Sequence, residues 1–505
     1  MKIQRTWCLP TVVLATAFIS ACSDSSSSSS GVSELDTNLS ALIASENLTG
    51  DPTTNRDLPN ITDLKAQLGM KLFYTKNLGG DQDSACVTCH HPVLGGGDNL
   101  SLPVGVNAAS VDLLGLGRVH NGDGAPNVPR NAPTVFNLGL WDQVMFHDSR
   151  VESIGKESGV NGANSGIRTP DSAFGVADAG VAVGQTLAAA QARFPVTSNE
   201  EMRGNVFEAG NDNDTVRTAL ATRLQGDADW LTEFQTGFSS TADAATLITY
   251  DNIAEAIGEY ERSMVFTNTP WSAYVAGNTA ALTETQKLGA VLFFTAREDS
   301  GAGCSGCHSG DFFTDESHHV VAFPLIGNGK GNVNASAGND DFGRERETGD
   351  VADRYKFRTP TLLNISATAP YGHTGSYQTL EDVVRHYTNP RGQVTDYFDV
   401  DGGWCQLTQF TTVTGCAALY PDARTNSLLA VDKLDADRLA GESEEFASDL
   451  TLSDEQVNQL VAFLEALTDP CVESRTCLAP WIPDTADAGP DGLQLNAVNA
   501  DGSFL

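Results

Sequence analysis

The sequence predicts a mainly α-helical protein that contains two related units with long irregular loops. Two stretches share the pattern Leu-Gly-x-x-Leu-Phe-x-Thr, at residues 68–75 and 288–295. Strand-like alternation is scarce, whereas Gly, Asn, Asp and Pro are abundant between the apolar stretches. A long pattern that occurs twice indicates a duplicated unit. Apolar residues at helical spacing support helices in both copies: Leu64, Leu68 and Leu72 in the first, and Leu288, Val291 and Leu292 in the second.

The clearest single helix lies near the end of the chain. Ser453 and Gln456 have the spacing of a capping box, in which each side chain bonds the backbone N–H of the other residue. An apolar face follows, and it stops at Asp469-Pro470 because proline cannot continue a helix. The face consists of Val457, Leu460, Val461, Leu464 and Leu467.

Each copy of the repeated pattern is followed by a Cys-x-x-Cys-His motif. The first motif holds Cys86, Cys89 and His90. The second holds Cys304, Cys307 and His308. Two thiols at this spacing form thioethers with the vinyl groups of a haem, and the adjacent histidine binds the iron from the same side.

A structural zinc site is the alternative for such motifs. It would need a second cysteine or histidine pair near each motif, and His91 is the only nearby candidate. We therefore predict two covalently bound haem c groups. The predicted fold class is mainly α, with two cytochrome c-like haem domains and long irregular loops, because a haem replaces much of an ordinary apolar core.

The first residues of the chain predict export. A basic start precedes an apolar run over residues 9–19, which is too short to span a bilayer comfortably. The run ends in Ser20-Ala21-Cys22, which is similar to a bacterial lipobox, and a polar serine tract follows. We predict a signal peptide at 1–21, then a lipid anchor at Cys22 with a flexible linker over 22–60. Ordinary cleavage, with Cys22 as a bystander, is the alternative.

The remaining residues divide into two domains and a tail. We predict an N-terminal haem domain over 61–265, a C-terminal haem domain over 266–480 and an acidic tail over 481–505. The chain has 30 Lys and Arg against 65 Asp and Glu, a formal net charge of −35. Such a surface excludes binding to nucleic acid or anionic lipid, so membrane contact is expected through the lipid anchor only. Ser23 after the anchor favours a periplasmic or cell-surface lipoprotein in the outer membrane.

Four cysteines lie outside the haem motifs, the leader and the predicted anchor at Cys22. Cys405 and Cys416 form one close-spaced pair, and Cys471 and Cys477 form another. Because an exported protein meets an oxidising compartment, we predict two local disulfides.

Several further segments, in the same order, resemble the bacterial di-haem cytochrome c peroxidases and their relative MauG, which oxidises tryptophans in a partner protein. The resemblance extends from residue 64 to residue 467. Its motifs are RNAPT at 130–134, FHDSR at 146–150, FPVTS at 194–198 followed by Glu201-Met202, FRTPTL at 357–362, APYGH at 369–373 and TLEDVVRHY at 379–387.

The resemblance implies that the N-terminal haem is the peroxide site, with Glu201 on its distal side. Cleavage of the O–O bond needs a proton to move from the inner to the outer oxygen, and a positioned carboxylate can carry it. His120 lies in the region where the family places a distal histidine that must leave the iron during reductive activation. The local spacing differs, so His120 is either that ligand or a loop histidine among glycines.

At the second haem the family peroxidases place a methionine ligand where this chain has Tyr387, and MauG has a tyrosine there. A phenolate oxygen donates more electron density than a thioether, so it lowers the potential of the iron. A five-coordinate iron and ligation by His386 are the alternatives. The tryptophan that the family places between the haems is replaced by His147, a proton relay or a packed polar residue, and Trp141 is close in sequence.

The resemblance also implies a calcium ion between the domains. Asn131, Arg358 and Pro360 stand at the corresponding positions. An amide side chain and backbone carbonyls offer oxygen atoms, which suit a hard cation.

The leading functional interpretation is a peroxidase that reduces hydrogen peroxide with electrons from a small redox protein. The first alternative, favoured by Tyr387, is a MauG-like enzyme that uses peroxide to oxidise side chains of a protein substrate. The second is a non-enzymatic electron-transfer lipoprotein, in which His120 and Tyr387 close both irons.

Overall fold

A computed structural model describes residues 33–331, 340–443 and 446–505. The predicted signal peptide and Cys22 lie outside these residues. Within them, no helix combines the length and the apolar character that crossing a membrane requires.

The structure is mainly helical, as predicted, and its strands are only two or three residues long. The α-helices are α1 (Glu34–Ser45), α2 (Leu64–Tyr74), α3 (Leu187–Gln191), α4 (Asn213–Gln225), α5 (Ala228–Gly237), α6 (Ala244–Leu247), α7 (Tyr250–Arg262), α8 (Pro270–Val275), α9 (Glu284–Phe294), α10 (Glu345–Thr348), α11 (Leu380–His386), α12 (Pro390–Asp399), α13 (Ala423–Ala440), α14 (Asp454–Glu465) and α15 (Arg475–Leu478). Strands β1 (Val144–Met145), β2 (Val151–Ser153) and β3 (Ile167–Arg168) form one antiparallel sheet, and β4 (His318–His319) pairs with β5 (Phe357–Arg358).

The repeated pattern forms the first helix of a crossed pair in each unit. Helix α2 packs on α7, and α9 packs on α14. A Cβ atom at Gly69 would overlap the carbonyl oxygen of Ala256, and one at Gly289 would overlap the carbonyl oxygen of Gln459. Glycine is therefore required in both copies because the two helix backbones touch at the crossing.

Two large apolar clusters lie around these crossed pairs. The first surrounds α2 and α7, and its largest buried side chains include Phe73, Phe136, Trp230, Phe234 and Tyr260. The second surrounds α9 and α14, and it includes Trp271, Phe293, Phe294, Phe313 and Phe463. Helix α14 begins at the predicted capping box, with Ser453 accepting from the Gln456 N–H and Gln456 from the Ser453 N–H.

The prediction of a flexible linker over 22–60 is wrong for helix α1, which packs on α9. Leu39 is buried in the second apolar cluster. Asp36 accepts a hydrogen bond from the Tyr274 hydroxyl at 2.8 Å and pairs with Lys287 at 2.7 Å. These contacts hold the segment, because an ion pair shielded from water keeps more of its strength than an exposed one.

The acidic tail folds back across the chain onto the first cluster. Leu495 and Ala497 are buried there. The Asp491 carboxylate accepts hydrogen bonds from the Thr75 hydroxyl at 3.0 Å, the Asn77 amide at 3.0 Å and the Trp230 indole N–H at 2.7 Å. The tail is thus part of the N-terminal unit, although it is the last segment of the chain.

The structure pairs Cys405 with Cys416 and Cys471 with Cys477. The first disulfide closes a loop in the surface segment between α12 and α13. The second lies just before Trp481, whose carbonyl accepts from the Tyr260 hydroxyl at 2.7 Å.

Replacing Asp491 with alanine should destabilise the N-terminal unit. The change leaves three donors without their shared acceptor, and hydrogen bonds to a charged group contribute about 1.5–3 kcal/mol each, with incomplete additivity. We expect a loss of about 2–4 kcal/mol in the free energy of unfolding, measured by chemical denaturation. Asp501→Ala is the matched control in the same tail, because Asp501 is exposed and accepts from a neighbouring backbone N–H. Equal midpoints for the two variants would contradict this role.

Candidate functional site

One mainly apolar cavity joins the two units, and both Cys-x-x-Cys-His motifs open onto it. Cys86, Cys89 and His90 line one end, and the other end is lined by Cys304, Cys307 and His308. All four of these thiols are free, whereas the other described cysteines are in disulfides. Such a cavity, with two free thiols and a histidine at each end, fits two covalently bound haems.

Both histidines are oriented for binding iron through Nε2. The Nδ1 atom of His90 lies 3.2 Å from the Gly96 carbonyl oxygen, and that of His308 lies 3.1 Å from the Phe313 carbonyl oxygen. A carbonyl only accepts, so each Nδ1 carries the proton and Nε2 is the free ligand atom. Burial lowers the pKa of His90 to about 4 and also lowers that of His308, which keeps both rings neutral.

A second duplicated segment, Pro-Thr-x-x-Asn, supports these histidines and was not predicted. Thr134 Oγ1 donates to the Gly95 carbonyl at 2.6 Å, and Thr361 Oγ1 donates to the Phe312 carbonyl at 2.6 Å. Gly95 and Phe312 each stand directly before the residue whose carbonyl faces a haem-motif histidine. Each of these two hydrogen bonds therefore holds that carbonyl in position. The repeat, at residues 133–137 and 360–364, was visible in the sequence as a second match between the two units.

The structure brings Glu201, and not Glu200, to the cavity. Both lie in a π-helical turn, Asn199–Arg203, where Ser198 Oγ accepts from the Glu201 N–H. Glu201 lines the cavity beside Met202. Glu200 is exposed and accepts a hydrogen bond from the Ser198 hydroxyl at 3.1 Å.

A basic side chain, Lys330, also reaches this part of the cavity. Burial and the nearby Arg150 together lower the pKa of Lys330 to about 8, and the Glu201 carboxylate opposes the shift. No motif marks Lys330 in the sequence, because it belongs to a glycine-rich loop of the C-terminal unit that only the tertiary fold brings here.

His120 is not brought together with the other predicted site residues. Its Nδ1 atom lies 3.0 Å from the Asp123 carboxylate, and its Nε2 atom lies 3.2 Å from the Asn107 amide nitrogen. Both ring nitrogens are therefore engaged within its own loop. His120 does not line the cavity in the described part of the chain.

At the other end the structure directs Tyr387, and not His386, into the cavity. Burial raises the pKa of the Tyr387 phenol, and the nearby Cys307 and Cys304 add to the shift. The Nε2 atom of His386 donates to the Val321 carbonyl at 2.8 Å, so its Nδ1 accepts from the Tyr377 hydroxyl at 2.9 Å. With both nitrogens used, His386 is not free to bind iron.

Trp141 and His147 both line the cavity. His147 donates from Nε2 to the Asn131 carbonyl at 3.0 Å, and burial lowers its pKa to about 3.

The Arg358 guanidinium lies over the Trp141 ring, 3.7 Å from its centroid. Arg358 Nη1 is buried and has no hydrogen-bond partner among the described residues. A buried unpaired cationic donor at a cavity wall fits a bound carboxylate, such as a haem propionate.

Glu261 is a further acid at the cavity that the sequence did not single out. It lies on α7 and lines the wall with Cys86 and Ile257. Its Oε2 atom has no partner among the described residues, and burial raises the pKa of its carboxyl group to about 8.

Known proteins resemble this chain in sequence and, separately, in fold. A family model described as di-haem cytochrome c peroxidase matches residues 63–280. Cytochrome c551 peroxidase of Pseudomonas aeruginosa is 26% identical over 324 residues, covering 64% of this chain and 71% of that protein. Methylamine utilization protein MauG of Methylorubrum extorquens is 26% identical over 328 residues, covering 65% and 69%.

Two solved structures share the fold. A MauG-like protein associated with microbial copper homeostasis matches with a TM-score of 0.53 and 21% identity, covering 86% of this chain and 98% of that one. The diheme peroxidase BthA from Burkholderia thailandensis matches with a TM-score of 0.50 and 20% identity, covering 88% and 92%.

Replacing Glu261 with glutamine should change how stability depends on pH. The folded carboxyl keeps its proton up to about pH 8, whereas an unfolded one releases it near pH ~4.3. Between these values the folded state binds more protons, so the free energy of unfolding falls as pH rises, by at most about 1.4 kcal/mol per pH unit. Because glutamine does not titrate, the Tm of Glu261→Gln minus the Tm of wild type should increase as pH rises through this window.

The control for this measurement is Glu255→Gln, on the same helix, where the side chain is 36% exposed and pairs with Lys65. That variant should show no such trend. A constant Tm difference between Glu261→Gln and wild type across the window would mean that the buried carboxyl is already ionised.

Proposed function

Because the chain belongs to the di-haem cytochrome c peroxidase and MauG family, we propose that it is an oxidoreductase that reduces hydrogen peroxide with electrons from a redox partner protein. The observation that carries the proposal is that Glu201 and both haem motifs line one cavity. The two haem c groups supply the redox chemistry, since together they hold the two oxidising equivalents of one peroxide.

In this proposal each motif has its own task. Cys86, Cys89 and His90 hold the haem that meets peroxide, in a domain over residues 61–265. Cys304, Cys307 and His308 hold the haem that relays or stores charge, in a domain over 266–480. The separation is supported by the different side chains at the two ends, where the first has Glu201 and the second has Tyr387.

Glu201 acts as the proton carrier at the first haem. Its carboxylate takes a proton from the inner oxygen of peroxide and delivers it to the outer oxygen, which leaves as water. Lys330 lines the same cavity and brings a basic side chain to this end of it. His120 is left out of the proposed machinery, since its ring is held by Asp123 and Asn107.

Tyr387 is proposed as the second ligand of the C-terminal haem iron. Tyr387 caps the C-terminal end of α11, and its phenol lines this part of the cavity. The same observation favours a second candidate function, MauG-like oxidation of side chains in a protein substrate, because a phenolate ligand stabilises higher oxidation states of iron.

A calcium ion near the boundary of the two units is a separate proposal. Asn131, Arg358 and Pro360 all line the cavity. The amide nitrogen of Asn131 donates to the Leu100 carbonyl at 2.8 Å, which leaves its side-chain oxygen as the ligand atom. Metal analysis of the purified protein before and after chelation tests the site.

We also propose that the protein is exported and anchored through lipidated Cys22, in the periplasm or at the cell surface. Support comes from the leader and the polar tract that follows it. Cys22→Ser should move the protein from the membrane fraction to the soluble fraction, and an unchanged distribution would reject the anchor.

Replacing Glu201 with glutamine tests the catalytic role. The amide keeps the size of the side chain and removes its ability to accept a proton, so we expect the second-order rate constant for peroxide to fall by about 10²–10⁴-fold. Stopped-flow spectra in the Soret region measure it. Glu200→Gln is the matched control in the same turn and should react like wild type. Equal rates for Glu201→Gln and Glu200→Gln would remove Glu201 from the mechanism.

The same mixing experiment separates the candidate functions. A ferric or partly reduced protein whose spectrum does not change with stoichiometric peroxide is an electron carrier and not a peroxidase. A spectrum that changes with peroxide and returns rapidly when a small redox protein is added supports the peroxidase. A long-lived oxidised state that such donors do not reduce favours the MauG-like enzyme.

A further inference from the structure

The short turn that carries Glu201 has little structure of its own. It is a single π-helical turn, Asn199–Arg203, which we name the Glu201 turn. The Ser198 carbonyl closes it by accepting from the Met202 N–H at 3.2 Å and from the Arg203 N–H at 2.8 Å. An isolated turn of this length is not stable in water, because so few hydrogen bonds do not offset the lost freedom of its backbone. Contacts from outside the turn must therefore hold Glu201 at the cavity.

Two backbone segments supply these contacts. We name them strip A, residues 77–80, and strip B, residues 104–106. In strip A the Gly80 N–H donates to the Met202 carbonyl at 2.8 Å. In strip B the Val106 N–H donates to the Glu200 carbonyl at 3.2 Å. These two carbonyls belong to the residues before and after Glu201, so the bonds hold the backbone on both sides of it.

Each strip also touches the turn through a glycine. A Cβ atom at Gly80 would overlap the Arg203 carbonyl oxygen, and one at Gly105 would overlap the carbonyl oxygens of Glu200 and Glu201. The backbones are therefore in direct contact, with no side chain between them. Because closely packed atoms transmit displacement, a shift of either strip would also move the turn.

Strip B is held by Arg118, which is one of the largest fully buried side chains of the protein. Its Nε donates to the Val104 carbonyl at 2.7 Å, and its Nη2 donates to the Gly105 carbonyl at 2.8 Å. The Nη1 atom donates to the carbonyls of Val111 at 2.9 Å and Leu113 at 3.0 Å. Arg118 thus joins strip B to the loop that follows it.

Strip A is held in the same way by Arg223 on α4. Its Nη1 donates to the carbonyls of Asn77 at 2.9 Å and Gly79 at 2.7 Å, and its Nη2 donates to the Gly80 carbonyl at 3.1 Å. The guanidinium also lies over the Phe207 ring, 4.5 Å from its centroid. Each strip therefore has one arginine that binds two consecutive backbone carbonyls.

The two arginines act through their shape. Among the described residues, every hydrogen bond of these guanidinium groups goes to a backbone carbonyl. A guanidinium offers five donors in one rigid plane, whereas the lysine ammonium is a compact group with three donors. Lysine would keep the positive charge at either position, but it could not bind all of these carbonyls at once.

We propose that Arg118 and Arg223 are positioning residues, which keep Glu201 in place at the cavity by holding the two strips against its turn. The inference rests on the proposed function, because the position of Glu201 affects the rate only if its carboxylate moves the proton of peroxide. Displacing a reacting group by about 1 Å can lower a rate on the order of 10²-fold.

The first test combines Arg118→Lys and Arg223→Lys with Glu201→Gln. Each lysine variant alone should lower the second-order rate constant for peroxide by about 10-fold to 10²-fold, measured by stopped-flow spectra in the Soret region. In the Glu201→Gln background the same substitutions should lower the rate constant no further, because the proton carrier that they position is already absent. General damage to the fold would instead reduce the rate by the same factor in both backgrounds.

The second test observes the turn itself by hydrogen exchange and mass spectrometry. Peptides that cover residues 198–204 should exchange on the order of 10-fold faster in each lysine variant than in wild type. Peptides from α9 and α14 should exchange as in wild type. Gly105→Ala should give the same pattern with both arginines in place, because its methyl group displaces the turn directly.

Arg56→Lys is the matched control. The Arg56 guanidinium binds the Pro52 carbonyl at 3.0 Å and the Asp142 carboxylate at 2.7 Å, which belong to neither strip. This variant should react with peroxide like wild type. Haem content and thermal unfolding show whether each variant is folded, and Arg223→Lys and Gly105→Ala carry the tests if Arg118→Lys does not fold.

Three results would overturn the inference while leaving the proposed function intact. The first is a wild-type rate in both lysine variants when Glu201→Gln is slow. The second is an equal loss of rate in the wild-type and Glu201→Gln backgrounds. The third is unchanged exchange of residues 198–204 in both lysine variants. A wild-type rate in Glu201→Gln would instead overturn the proposed role of Glu201, and the inference with it.

Discussion

The contact of two helix backbones, made once in each unit, is the constraint on which the rest of the structure depends. Helix α2 crosses α7 at Gly69, and α9 crosses α14 at Gly289. The turn that begins each haem motif packs against the first helix of its pair, so a shift of that helix would also move the motif. Any side chain at these glycines would meet a carbonyl oxygen of the partner helix, which would push the helices apart and shift the motif.

The two units are held as one body by contacts that are distant in sequence. The buried Arg130 guanidinium pairs with Asp148 of its own unit and with Asp341 of the other, both at 2.6 Å. Such a buried group is costly to break, because removing one partner leaves a charge without compensation. The ends of the chain add to this, since α1 packs on the C-terminal unit and the acidic tail packs on the N-terminal one. Both haem motifs therefore share one cavity.

Within that cavity the duplicated units have diverged in chemistry. The first end carries two ionisable side chains from different units, Glu201 and Lys330. The second end carries Tyr387 and a run of aromatic rings behind it. This division follows a general requirement of peroxide chemistry, in which proton delivery must occur at the bond that breaks, whereas electrons can arrive from a distance.

The sequence by itself determined the two haem motifs, the duplication and the helical fold class, because thioether attachment and helix formation depend on residues a few positions apart. It also indicated Glu201 and Tyr387 through the segments that resemble a known family. The tertiary structure alone decided that His120 lies outside the cavity, that His386 faces Tyr377, and that Lys330, Arg358 and Glu261 reach the cavity wall. It alone decided that the linker contains a packed helix and that the tail closes the first unit. These features depend on contacts between residues far apart in the chain, and local sequence patterns do not predict such contacts.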